Sequence, residues 1–260
     1  MRKLLGISAL VVSMGAGTAA SAFAVPFEPY NDRQVGVNGP PGSEISLQTA
    51  LNSIFAPLSG VYGIPNVTTD QSEAGLWGLA TSPGGMVPAL AFEQAGNAGI
   101  NTYGIWSWSD TLGIVQVPIF LGGATPTNVL SATAFLTWTD PTTVVIGGFN
   151  CGVWVNCDPT MNTSYYADSS AFGFYLQTGA NTYYTVDSLN PGGSAKALAY
   201  QQSSTTNWAI AFEDGTDGDY NDGVLRVESL KPVPEPASVM LFGTGLIGAF
   251  GAFRKRIRRS

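Results

Sequence analysis

Through most of its length the chain alternates short runs of β-branched and aromatic residues with clusters of Gly, Asn, Asp, Ser and Pro. "GINTYGIWSWSD", "IVQVPIFLGG", "ATAFLTWTD", "TTVVIGGFN", "AFGFYLQTG", "NTYYTVDSL", "KALAYQQS", "NWAIAFED" and "VLRVES" each have the composition of a strand bounded by turn formers. In the last two the alternation is clean. Trp208, Ile210 and Phe212 fall on one side, and Leu225 and Val227 can meet them across an antiparallel pair. A helical period appears near the start, where Leu47, Leu51, Ile54 and Leu58 recur at spacings of four, three and four until Pro57 must end or distort the helix. The pattern predicts an all-β fold: a single β-sandwich, jelly-roll-like, with one short helix over one end or face.

The two ends break this pattern. Met1, Arg2 and Lys3 precede an apolar run from Leu4 to about Ala16, and small residues close on Ala22, Phe23 and Ala24. A basic start, a short apolar middle and an A-x-A end read as a secretory signal peptide over 1–24; a buried helix is the alternative. At the other end, Ala237 to Phe253 carry no charge. These seventeen residues make a transmembrane helix of about 25 Å, just long enough for a hydrocarbon core of about 30 Å. Arg254, Lys255, Arg256, Arg258 and Arg259 follow, and the positive-inside rule keeps them cytoplasmic with the rest of the chain on the far side.

Pro234, Glu235 and Pro236, then the short apolar span, then the basic terminus, resemble the PEP-CTERM sorting signal of Gram-negative bacteria. The resemblance implies an exosortase that recognises the tail and removes it, so that residues 234–260 are transient and 25–233 form the exported β-sandwich domain. The implied location is the inner membrane before tail removal and the cell surface or extracellular space after it. An ordinary single-span anchor is the alternative.

Without its ends the chain keeps four basic residues (Arg33, Lys196, Arg226, Lys231) against seventeen acids, a formal charge of −13. That balance disfavours nucleic acid and anionic membrane surfaces and suits divalent cations or neutral glycans, an exopolysaccharide among them. Contact with a membrane is expected only through the transient tail. Cys151 and Cys157 enclose five residues and in an oxidising compartment read as a disulfide worth about 2 kcal/mol, with two free thiols as the alternative. Zinc is excluded by the absence of His and of a third Cys.

Candidate chemistry concentrates in "FEDGTDGDYNDG", Phe212 to Gly223. Glu213, Asp214, Asp217, Asp219, Asn221 and Asp222 crowd one turn between two strands, with Asp217, Asp219 and Asn221 at i, i+2 and i+4. Calcium takes six to eight oxygen ligands, and this is a compact way to supply several. It is not an EF-hand, because Asp222 occupies the position where that loop needs Gly and Glu228 lies about 17 Å along the outgoing strand. Four aspartates at about 6 Å repel by about 0.7 kcal/mol per pair even in water, so a structural Ca²⁺ is favoured over a bare solvated turn, and either over catalysis.

This stretch, with "AFGFYLQTGANTYYTVDSLNPGG" before it, is also similar to a domain of unknown function often attached to PEP-CTERM tails, marked by an F-E-D segment leading into D-x-D-Y-N-D. "SLQTALNSIF", "VTTDQSEAGLW" and "EQAGNAGINTYGIWS" extend the likeness over most of the exported chain. It implies a secreted all-β domain, calcium-dependent, with no activity to carry over.

The absence of His removes Ser-His-Asp and Cys-His nucleophile systems. Carboxylate-only glycoside hydrolysis would need two acids about 5–10 Å apart; Glu93, Asp110, Asp140 and Asp187 are scattered candidates that read better as turn and strand-end residues. Trp106 and Trp108 flank Ser107, so a strand puts both rings on one face, as a platform for sugar rings or as core. The expected function is that of a non-enzymatic exported surface or extracellular-matrix protein; a glycan-binding module or a carbohydrate-active enzyme is the alternative.

Overall fold

The computed structural model describes residues 36–56, 62–80, 84–94, 97, 99–109, 111–121, 133–140, 143–150, 163–166, 171–203 and 205–233, with backbone alone for the strands between 133 and 166. The expected signal peptide, Leu58, the Cys151–Cys157 pair, Asp110, and the tail with Pro234, Glu235 and Pro236 lie outside them.

Helix α1 (Leu47–Phe55) starts where Ser46, in extended conformation, turns its hydroxyl to accept from the Thr49 amide, satisfying one of the free donors of the first turn. Leu47, Ala50, Leu51, Ile54 and Phe55 are buried. Fourteen strands follow among the described residues: β1 (Gln71–Ser72), β2 (Trp77–Leu79), β3 (Gly84–Glu93), β4 (Thr102–Ser109), β5 (Gly113–Phe120), β6 (Thr133–Asp140), β7 (Thr143–Asn150), β8 (Thr163–Tyr166), β9 (Gly173–Thr178), β10 (Asn181–Tyr184), β11 (Ala197–Gln201), β12 (Trp208–Phe212), β13 (Gly223–Glu228) and β14 (Leu230–Pro232). All pairings are antiparallel. One sheet runs β1-β11-β12-β13-β3-β6-β7-β8, a second β10-β9-β4-β5, and β14 pairs with β2 as a small ribbon.

The period-2 pattern explains how these layers meet. Along β12, Trp208, Ile210 and Phe212 point into one core with Leu225 and Val227 of β13, and with Tyr103, Ile105, Phe174 and Leu176 of the second sheet. The intervening Ala209 and Ala211 point the other way, joining Leu198, Tyr200 and Val224 under α1. Small residues on that face let the helix lie close, and each fully buried Leu, Ile or Phe contributes about 1.5–3 kcal/mol. The expected β12–β13 register is observed, with Trp208 opposite Val227 and Ile210 opposite Leu225.

Two expectations about elements need correction. "NTYYTVDSL" is strand only to Tyr184, because Asn190 accepts from the Tyr184 amide at 2.7 Å and donates to its carbonyl at 2.9 Å, turning the chain into a 3-10 turn at Asp187–Leu189. β3, central in the large sheet, carries no strand signal, since "GGMVPALAFE" holds two glycines and a proline. The ladder to β6 has pairs at Met86 and Ala89 and skips Pro88, which has no N–H to give; on the other side Pro88 stands opposite Val227.

Candidate functional site

The ten residues joining β12 to β13 form the acidic loop. It closes on itself through Glu213, which is 2% exposed: one carboxylate oxygen accepts from the Gly215 amide at 2.9 Å and the other from Gly218 at 2.9 Å and Tyr220 at 3.4 Å. The Asp214 amide donates to Asp222 at 2.7 Å. Tyr220 sits at φ 54°, a left-handed conformation costly for an aromatic residue. Burial of its ring beside α1 and a hydrogen bond from its hydroxyl to the Ala195 carbonyl at 3.2 Å offset that cost.

Glu213, Asp217, Asp219 and Asp222 each bring a carboxylate oxygen within 4.8 Å of the others. Asp219 and Asn221 are both 1% exposed, and Asp219 Oδ2 and Asn221 Oδ1 are buried with no hydrogen-bond partner. An unpaired buried oxygen is costly, and more so on a charged group among like charges. All the donors are hard oxygens, the set that suits calcium or magnesium rather than a thiophilic metal. The cluster can hold a metal ion, and the free oxygens are what such an ion would satisfy.

Electrostatics point the same way. Burial, followed by the charges of Asp214, Glu213 and Asp219, pushes the Asp222 carboxyl up to about 7. Burial raises Asp219 too, with Asp217 and Glu44 adding to it, and raises Glu213, whose carboxylate also lies against that of Asp217. Burial and mutual repulsion hold all three carboxyls above the ordinary carboxylate range.

Asp214 departs from the expected ligand set. Its two carboxylate oxygens accept from the side-chain amides of Asn97 at 3.3 Å and Asn101 at 3.0 Å, and it lies outside the four-carboxylate cluster. Glu93 belongs to the surroundings of the site as well. Tyr103 donates to Glu93 at 3.2 Å, and burial, with smaller contributions from Asp214 and Asp222, raises the Glu93 carboxyl to about 8. Gly223 gives this network its room: a Cβ there would lie 1.9 Å from the Tyr103 hydroxyl. Lys196 donates to the Gly215 carbonyl and lies over the Tyr183 ring, 4.9 Å from its centroid. Asn97, Asn101, Tyr103, Lys196 and the N-terminal Asn38 carry no local signal in sequence; only the sheet order brings them to the loop.

The remaining candidates fall elsewhere. Trp106 is 1% exposed, packed edge-on against Tyr184 at 5.6 Å under the chain segment that follows β10, so it presents no ring face to a sugar. Trp108 is half-buried. Asp187 is buried in its 3-10 turn, and Asp140 ends β6. Glu228, excluded above as a loop ligand, pairs with Arg226 at 2.6 Å on β13. Among the described residues no helix is long and apolar enough to cross a membrane.

Residues 232–256 match the PEP-CTERM protein-sorting motif, which marks the chain as an exported, exosortase-targeted protein whose C-terminal tail is membrane-anchored before processing. No curated protein matches the chain. Among solved structures it is similar to the Chromobacterium violaceum lectin CV2L in complex with alpha-methyl-fucoside, at 12% identity over 63% of this chain and 100% of the lectin, with a TM-score of 0.25. It is similar also to the Ralstonia solanacearum high-affinity mannose-binding lectin, at 17% identity over 63% of this chain and 100% of that one, with a TM-score of 0.23. Neither likeness bears on what this chain binds.

Proposed function

We propose that this protein is a non-enzymatic component of the cell surface or extracellular matrix, exported by a signal peptide over 1–24 and released from its tail by an exosortase. Its exported part, 25–233, is a β-sandwich of jelly-roll type whose 213–222 loop holds structural Ca²⁺. The observation that carries the cation reading is the pair of buried, unpartnered oxygens on Asp219 and Asn221 beside the cluster of four carboxylates. Calcium is favoured over magnesium because a loop offering several carboxylates at fixed spacing matches a large, irregular coordination shell better than a strict octahedron that retains its water. The resemblance to the domain marked by F-E-D and D-x-D-Y-N-D agrees with this reading.

Burial of Trp106 weighs against a ring platform for glycan.

Elemental analysis of the purified chain after dialysis against calcium tests the cation. Stoichiometric calcium that is lost in Asp219→Asn is expected, whereas calcium no higher than in that variant contradicts the reading. Export is tested by replacing Pro234, Glu235 and Pro236 with Ala: the expected result is full-length protein retained in the membrane fraction, and normal processing would contradict it.

A further inference from the structure

Three hydrogen bonds tie the segment leading into α1 to the acidic loop. The Asn38 amide donates to the Gly218 carbonyl at 2.9 Å, and the Asn38 side chain donates to the Asp217 carbonyl. The Asn221 side-chain N–H donates to the Ile45 carbonyl at 2.9 Å, and the Ile45 amide reaches the Gln94 side chain at 3.0 Å. Gly218, at φ +74°, makes this approach possible, since a Cβ there would stand 2.7 Å from the Asn38 side-chain nitrogen Nδ2.

We infer that residues 38–45 form a strap that docks on the loop when the cation is bound and comes away when it leaves, so that occupancy of the site is read out as order in the N-terminal segment. The inference rests on the cation reading and adds a second, separable statement to it. Asn221 is the joint. One half of its amide holds the strap through Nδ2, while the other half, Oδ1, is the buried oxygen left without a partner. A cation on Oδ1 polarises the amide and strengthens the N–H that it gives to Ile45.

The shared Asn221 amide couples the two events, since the same side chain meets the strap on one side and the proposed ligand position on the other. Linkage then requires reciprocity: whatever the cation does for strap docking, the docked strap does for cation affinity.

Hydrogen exchange of the full chain, with calcium and with chelator, reads the strap, and titration calorimetry on the same samples reads the ion. The inference predicts that exchange over 38–45, at the Asn38 and Ile45 amides above all, slows by about tenfold or more with calcium. Asn38→Ala is expected to weaken calcium several-fold. If calcium binds while exchange over 38–45 stays the same, the strap inference is overturned and the cation reading stands. If no calcium binds, both are overturned.

Discussion

At the scale of single residues, the proposed cation makes a replacement in the loop act in opposite directions with and without the ion. Asp219→Asn removes a buried charge from among like charges, so in chelator the variant is expected to melt above the parent protein, and in calcium to melt below it because its gain from the ion is lost. Paired melting curves check both signs; a variant that keeps the full calcium response contradicts the placement of Asp219 at the ion. Gly223→Ala acts through space instead. Its Cβ would collide with the Tyr103 hydroxyl, which sits in a buried network with Glu93, so a loss of about 1–3 kcal/mol is expected from urea unfolding at any calcium concentration. The gathering of Glu213, Asp217, Asp219 and Asp222 was legible because they lie close in sequence, and so was the crowding of their charges. The orientation of Asp214 was not, because Asn97 and Asn101 stand more than a hundred residues away in sequence. The buried rings at Trp106 likewise depend on a covering segment that no local pattern reveals.

At the scale of elements, the β12–β13 hairpin is where sequence and structure coincide most closely, because strict alternation leaves a single register that buries both apolar sets. β3 was illegible for the converse reason. Two glycines and Pro88 argue against a central strand; the glycines pair with β6 all the same, and the sheet tolerates Pro88 by omitting the β6 pairing there. Helix α1 was legible from its period, and its start is now explained by Ser46; Ser46→Ala is expected to cost about 1 kcal/mol in the unfolding free energy. The strand-end acids give the metal-free protein a defined pH dependence. Glu93 at the end of β3 and Asp222 at the start of β13 bind protons more tightly in the folded chain than their ordinary values of 4.5 and 3.8 allow, at about 8 and about 7. The folded state therefore holds protons that the unfolded state has released, and the stability this contributes is complete below about pH 4 and lost as the pH rises through about 7 to 8. Unfolding in chelator across that range is expected to show falling stability with rising pH, and a flat or rising profile would contradict the burial assigned to these carboxyls.

At the scale of the whole molecule, two features of different range agree. The sorting motif at residues 232–256 overlaps β14, so the export signal begins where the folded β-rich domain ends. Within that domain the acidic loop gathers four carboxylates that could hold a metal ion. Calcium that binds the folded chain and not the unfolded one must raise the melting temperature, by about 2.7 kcal/mol of stability at a concentration a hundred times its Kd. For a domain of this size that amounts to about 5–10 °C. The most direct test is therefore the melting temperature of the full chain by calorimetry, in excess calcium and in excess chelator, at neutral pH. A rise of that order with calcium, absent in Asp219→Asn, is the predicted result; the same melting temperature in both solutions would contradict a cation-held loop.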